Sequence, residues 1–356
     1  MLIHFEQDIY YKKIPMLHSK VLFILKKKKL YDTPYDGRAI HSGLFNSALF
    51  VNDMLNKIGI ESHLVQVNDN NDIDREVTKY KPTHVVIEAI WVIPSKFEVL
   101  HKLHPKVEWI IRLHSEIPFI SNEGHAISWI FEYDKNAIDY NIKIAPNTLK
   151  MYNDLTKVGV KNLVYLPNYY PVVNKNRKNL IKDHIDIGCF GAIRPMKNQL
   201  MQAVAAIDFG NQIGKTIYFH INSERVEKGD TALKNIRALF DNQTKHKLVE
   251  HKWYTHYEFK ELISRMDLGL QVSFNETFNI VAADMVSEGV PVIGSDEIAW
   301  LNSLYKAKTT SSEDITKKLI RAYFLDAFGF QWLNKWKLSK TSKKAICNWR
   351  KYFNHW

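Results

Sequence analysis

Residues 271–295 read QVSFNETFNIVAADMVSEGVPVIGS. The apolar run ending at Ser273 reads as a buried strand, and the short loop after it carries Glu276. A helix is expected to begin near Thr277 or Phe278, with Asp284 eight residues beyond Glu276, about two turns further along. Gly289 and Pro291 stop that helix and start the next strand. A helix start presents unpaired backbone N–H groups and a partial positive charge, which suit a phosphate; Thr277, Phe278 and Asn279 would supply those amides. Glu276 at the mouth is placed to accept hydrogen bonds from sugar hydroxyls. The plainer alternative is an acid that stabilises the helix dipole, with Asp284 solvated.

A second stretch, 190–199, reads FGAIRPMKNQ. Phe190 ends a strand, Gly191 permits a tight turn, and Arg194 and Lys197 precede a helix. Two cations three residues apart at a helix start can grip a diphosphate, Arg by its planar fork and Lys as a point charge. Alone, the same residues also fit a solvated basic turn. Outward from these stretches the chain alternates strand and helix, which predicts α/β layers with largely parallel sheets. Strands are expected at 20–25, 61–67, 83–90, 107–113, 143–145 and 162–166, with a helix over 44–57. After a polar, basic, aperiodic linker at 171–184, strands follow at 184–190, 216–221, 247–251, 268–272 and 290–294. Helices are expected between them at 198–209, 231–240, 257–266 and 278–287. The result is an α/β chain of two Rossmann-like domains, 1–172 and 173–320, facing each other across a cleft. A basic, aromatic helical segment follows over 321–356. Open α/β sheets bind ligands beyond the carboxyl ends of their strands, so the cleft is the expected site.

The chain has 356 residues, 46% of them hydrophobic and 24% charged, enough for a sizeable core, so disorder is excluded. Cys189 and Cys347 are its two cysteines, too few for a disulfide framework; they fit a reducing cytosol, and a cytoplasmic location is expected. The apolar runs are too short to span a bilayer, and residues 1–15 lack a signal-peptide core. The net charge is +11, from 49 Lys/Arg and 38 Asp/Glu, which favours polyanionic partners. Ten of those cations, against one acid (Asp326), lie in 317–356. There is no G-x-x-x-x-G-K-[ST] and no G-x-S-x-G, and Gly188 and Gly191 lack the rest of G-x-G-x-x-G. His101 and His104 have no H-E-x-x-H context, so no metal is expected.

The two stretches together resemble the donor-binding signature of the GT-B glycosyltransferases, in particular the large retaining family 4 that includes sucrose- and glycogen-synthase-like enzymes. Glu276 matches the first acid of its E-x7-E, Ala282 and Ala283 the small-residue helix, and Gly289-Val290-Pro291-Val292-Ile293 the ending. Asp284 stands where the second Glu is usual. Gly191, Arg194 and Lys197 match the family's G-x-x-R-x-x-K, and Arg194 lies 82 residues before Glu276, a separation typical of the family. Gly43 resembles the glycine loop near the donor phosphates, and His114, ending 107–116 (VEWIIRLHSE), the histidine that faces the transferred sugar. Leu166-Pro167-Asn168 resembles the Pro-Asn before the interdomain linker. The resemblance implies a nucleotide-sugar donor, a UDP-sugar first among them. Arg194 and Lys197 would hold the pyrophosphate, Glu276 the sugar and Asp284 the ribose, with no essential metal and retention of configuration. The matching stretches cover about residues 18–300. An inverting enzyme would instead need a carboxylate base, for which Glu116 and Glu123 are the candidates.

The acceptor carries no signature. Basic and aromatic residues interleave in 328–356 (FGFQWLNKWKLSKTSKKAICNWRKYFNHW), and lysines cluster at 12–13 and 26–29. Lysines neutralise phosphates and aromatics stack on exposed bases, so the leading expectation is a hydroxymethylated pyrimidine in duplex DNA, flipped from the helix. The alternative acceptor is a cell-surface or lipid-linked glycan, with the tail amphipathic at a membrane through Trp332, Trp336 and Leu338. A third possibility is a non-catalytic basic module that binds DNA or membrane. The tail also fits a plain helix packed back across both domains.

Overall fold

A computed structural model describes residues 19–27, 43–173, 182–227 and 230–353. The lysines at 12–13 and 28–29, most of the loop before Gly43, and the middle of the linker lie outside the described residues. In the first domain β1 (Lys20–Lys26), α1 (Gly43–Lys57), β2 (Glu61–Val67), α2 (Asp72–Tyr80), β3 (His84–Glu88) and α3 (Lys96–Leu103) come first. They are followed by β4 (Glu108–Leu113), α4 (Ile117–Ile120), α5 (Ala126–Lys135), α6 (Ala137–Tyr140), β5 (Ile142–Pro146) and α7 (Leu149–Lys157). The sheet is parallel, in the order β2-β1-β3-β4-β5. Side chains along β1 alternate between its two faces: Leu22 and Ile24 join one core layer, Val21 and Phe23 the other.

The second domain runs β6 (His184–Gly188), α8 (Gln199–Gln212), β7 (Thr216–Asn222), α9 (Thr231–Asp241), β8 (Lys247–His251) and α10 (His256–Ile263). Then come β9 (Leu268–Gln271), α11 (Ile280–Ser287), β10 (Val292–Gly294), α12 (Ser312–Ala327) and α13 (Trp332–Phe353). Its sheet is also parallel, ordered β10-β9-β6-β7-β8.

Three expectations need correction. The strand expected at 162–166 is only an isolated bridge, Ile144 to Leu163, because the chain turns toward the second domain there. The helices after β2 escaped the sequence reading because they are short and capped by local devices. Examples are the αL cap at Lys81 after α2 and, beyond β5, Thr148, whose hydroxyl accepts from the Met151 amide at the start of α7. The 320/321 boundary falls inside α12, a continuous helix held on α8 by the Thr316 hydroxyl donating to the Ala205 carbonyl at 3.2 Å.

Helix α13 crosses back to the first domain. Trp349 and Phe353 are fully buried beside Val21 and Phe23, and the Trp349 indole N–H donates to the Pro167 carbonyl at 2.8 Å. Leu338 is also buried, so it does not share the exposed face of Trp332 and Trp336. Trp349 and Phe353 thus belong to the core, and are not a stacking platform on the surface.

Candidate functional site

In the second sheet the chain order reverses between β6 and β9. The crevice at such a reversal is where doubly wound sheets bind ligands. Both sequence stretches leave from these two strands. Cys189 to Arg194 follow β6, and Val272 to Asn279 follow β9. Gly191 sits at φ +118°, in the region that favours glycine, and a Cβ there would meet nothing within 4 Å. Its amide donates to Asn222 Oδ1 at 3.1 Å. Gly188 has the opposite constraint: a Cβ would lie 2.5 Å from the Phe190 ring, so the glycine keeps β6 close-packed.

The structure joins Lys197 and Glu276 directly, Lys197 Nζ donating to Glu276 Oε1, with both side chains largely buried. Arg194 does not touch either. Its Nη1 bonds Glu227 Oε2 at 3.0 Å, its guanidinium lies 4.7 Å from the Phe119 ring centroid, and its Nε is buried without a partner. Phe119 belongs to α4, so Arg194 already reaches across to the first domain. Side chains that the sequence reading passed over stitch the two loops together. Asn198 Nδ2 donates to the Val272 and Thr309 carbonyls, Gln202 Oε1 accepts from the Val272 amide, and Gln271 Nε2 donates to the Phe190 carbonyl. The available signal was a cluster of amide side chains around two strand ends.

Helix α11 begins at Ile280, later than expected. Asn279 adopts φ +59° and its side chain accepts from the Ala282 amide at 2.9 Å, an N-cap that holds the preceding residues in loop conformation. Phe278 is buried, and its carbonyl accepts from Trp300 Nε1 at 2.7 Å. Asp284 is not solvated. It is 2% exposed, and one oxygen accepts from the Tyr170 hydroxyl at 2.7 Å and pairs with His256 Nε2 at 2.8 Å. His256 remains partly exposed and lies 5.7 Å, centroid to centroid, from Phe50 of α1.

Across the cleft, His114 follows β4. Its Nε2 bonds Glu88 Oε2, and its Nδ1 lies 3.4 Å from Asn147 Nδ2. An amide N–H donor at Nδ1 places the imidazole proton on Nε2, pointing at Glu88. Glu88, at the end of β3, is fully buried and also takes Arg112 Nη1 at 3.0 Å. Burial pushes the Glu88 carboxyl up, but Arg112 and His114 outweigh it and hold it below its ordinary range. Burial pushes the His114 imidazole down despite Glu88, which makes it neutral at neutral pH. Arg112 is fully buried; its Nη2 donates to Asn168 Oδ1 and its Nε to the Leu166 carbonyl. Asn168 Nδ2 reaches the Ser47 hydroxyl, which donates to the Gly43 carbonyl at 2.9 Å. A buried polar chain therefore runs from His114 to the exposed Gly43 at the start of α1.

The two halves meet where Asn147 Nδ2 approaches Thr277 Oγ1 at 3.5 Å and Lys150 Nζ bonds Glu297 Oε2 at 2.7 Å. Glu116 is 1% exposed, with one oxygen accepting from Thr148 and the other without a partner, and burial pushes its carboxyl up. Glu123 is exposed. A 340 Å³ cavity is lined by Phe274, Ser295, Glu297 and Thr309, among others. Among the described residues no group of three His, Cys, Asp or Glu is placed to hold a metal ion.

Solved structures share this layout. A sucrose-phosphate synthase from Thermosynechococcus elongatus superposes with TM-score 0.67 at 11% identity, over 94% of this chain and 98% of that one. This chain has the GT-B fold. Anabaena HepE, solved with UDP-glucose, gives TM-score 0.65 at 11% identity over 95% and 99%. TarM from S. aureus, solved with Fondaparinux, alpha-GlcNAc-glycerol and UDP, gives 0.60 at 14% identity over 76% of this chain. The chain spans only 55% of TarM's length. No family model matches the sequence, and no curated protein matches it. At these identities the likeness carries the GT-B fold, and the site must be argued from its own residues.

Proposed function

We propose that the chain transfers a sugar from a UDP-sugar to a hydroxyl of a glycan acceptor, with retention. One observation carries the reading. Both expected donor elements hang from the two strands that flank the chain reversal of the second sheet, facing His114 and Asn147 of the first. Lys197 and Arg194 would take the diphosphate, and Glu276, released from Lys197, would take the sugar hydroxyls. Preorganised cations at a departing diphosphate are commonly the largest single contribution to such a reaction. The sugar C1–O bond to the diphosphate breaks and the bond to the acceptor oxygen forms on the same face. The acceptor proton passes to the leaving phosphate oxygen, so no strong base is required.

Asp284 is too short and too enclosed to hold the ribose itself, so we assign it the positioning of His256, whose exposed edge would meet the nucleoside. Both ring nitrogens of His114 are engaged, and the longer Asn147 contact is the one that would yield to a sugar. The DNA expectation rested on the interleaved tail. Burial of Trp349 and Phe353 removes part of that support and favours the glycan acceptor. The test is titration of UDP and UDP-sugars into wild type, Arg194→Ala and Lys197→Ala, followed by turnover on glycan and on hydroxymethylcytosine DNA. Loss of a charge-assisted hydrogen bond should weaken UDP binding by about 10- to 150-fold in each variant, from about 1.5–3 kcal/mol. Wild-type UDP affinity in both variants would remove the donor-site assignment.

A further inference from the structure

Helix α13 divides cleanly by face. Asn334, Leu338, Ser342, Ala345, Trp349 and Phe353 are buried and follow one another at three- and four-residue steps. Trp332, Trp336, Lys340 and Lys344 lie on the opposite stripe at successive four-residue steps. At the turn from α12 into α13 five aromatics protrude together: Phe324, Phe328, Phe330, Trp332 and Trp336. Phe328 is 78% exposed, Trp332 55% and Trp336 48%. Large aromatics left in water at one corner mark an interaction surface rather than scattered exposure.

Beside that corner a 210 Å³ cavity is lined by Ala299, Trp300, Lys337, Lys340, Thr341 and Lys344. Three of the six lining residues are lysines and none is acidic. Lys337 and Lys340 Nζ also lie 5.8 and 5.3 Å from the Trp336 ring centroid, which ties the cations to the aromatic rim. From 328 to 353 the chain carries seven Lys/Arg and no Asp or Glu. No helix of the described residues is long and apolar enough to cross a membrane.

We infer that the α12–α13 corner docks on an anionic lipid bilayer, the aromatics entering the interface and the Lys337–Lys340–Lys344 cavity taking a lipid phosphate. Tryptophan and phenylalanine at an interface, flanked by lysines, give both the apolar burial and the attraction to anionic headgroups that such a surface requires. Duplex DNA fits less well. Its bases are stacked and paired, so it offers a protruding apolar corner only phosphates and sugar. The docking is independent of the donor-site reading, since neither the protruding aromatics nor Lys337, Lys340 and Lys344 take part in it.

The test is co-sedimentation of the full chain with phosphatidylcholine vesicles, with and without phosphatidylglycerol, alongside a gel-shift titration with duplex DNA at the same salt. Wild type should bind the anionic vesicles and bind the neutral ones far less. The K337Q/K340Q/K344Q variant should lose about a hundredfold in anionic-vesicle affinity, at about one kcal/mol per lysine. W332A/W336A should lose binding while keeping UDP affinity; Trp332, Trp336, Lys340 and Lys344 are exposed and Lys337 is half-buried, so melting of both variants should stay close to wild type. Equal binding to neutral vesicles, no vesicle binding, or vesicle affinity unchanged in either variant would overturn the inference. So would DNA binding lost through the same lysines in the absence of vesicle binding.

Discussion

The buried pair of Glu88 and Arg112 offers the sharpest quantitative test of the first domain. Both side chains are fully buried, and Arg112 is enclosed by Glu88, Asn168, the Leu166 carbonyl and the Trp349 ring, 5.3 Å from its guanidinium. Water therefore cannot replace a lost partner. Glu88→Gln keeps the shape and the acceptor oxygen but removes the charge, leaving Arg112 uncompensated, which should cost about 3–5 kcal/mol. For a domain of this size that corresponds to a melting temperature lower by about 6–20 °C. Calorimetry of wild type and variant measures it directly. The pH dependence follows from the direction of the shift. A carboxyl held below its ordinary range stabilises the fold above the unfolded value, about 4.3, and loses that contribution as pH falls through the folded value. The gap between wild type and Glu88→Gln should therefore be steady from about pH 6 to 8 and narrow below about pH 4. Replacing both residues, Glu88→Met with Arg112→Met, should recover much of the loss, because the desolvation cost disappears with the pair. A single variant melting within about 2 °C of wild type would show that the charge of Glu88 is not what balances Arg112.

Three further outcomes are expected. Trp349→Ala empties a fully buried site between Phe23 and Phe353 and should cost about 3–5 kcal/mol, read by denaturant melts. Gly191→Ala places a methyl in open space but at φ +118°, so it should cost about 1–3 kcal/mol in stability and weaken UDP binding, read by calorimetric titration. His256→Ala should raise the Kd for UDP about tenfold with little change in melting, whereas an unchanged Kd would return the nucleoside to another partner.

The second domain was readable because its turns carry their own chemistry. Gly191 and the Arg194–Lys197 pair mark one loop, and Gly289 with Pro291 closes the other. The sequence reading set the start of α11 near Thr277 or Phe278 because nothing in the pattern of 276–280 singled out Asn279 as the cap. Only its φ of +59° and its bond to the Ala282 amide show that it is the cap. In the first domain β1 and β4 are apolar runs whose burial on both faces was plain. The short helices between β2 and β5 lie near the length at which propensity alone cannot hold a helix, so their stability comes from packing that the sequence does not show.

The polar side chains of the first domain were illegible for a different reason. Glu88 and Arg112 each sit near the carboxyl end of an apolar strand, 24 residues apart, where nothing in the sequence ties one to the other. What joins them is the parallel register, which sets Glu88 beside Arg112 on neighbouring strands. The same register carries His114, two residues beyond, over the Glu88 carboxylate and toward Asn147 and Thr277. Electrostatics then fixes the order of dependence. Arg112 holds Glu88 ionised, Glu88 fixes the proton on His114 Nε2, and His114 turns its Nδ1 to the cleft. A substitution that breaks the pair should therefore disturb the sugar-facing end of the site although neither residue touches a ligand. Donor affinity, set by Arg194 and Lys197 in the other domain, should hardly change. Turnover lost at constant UDP affinity in Glu88→Gln is the result this order requires, and equal loss of both would place the pair's effect in global stability instead.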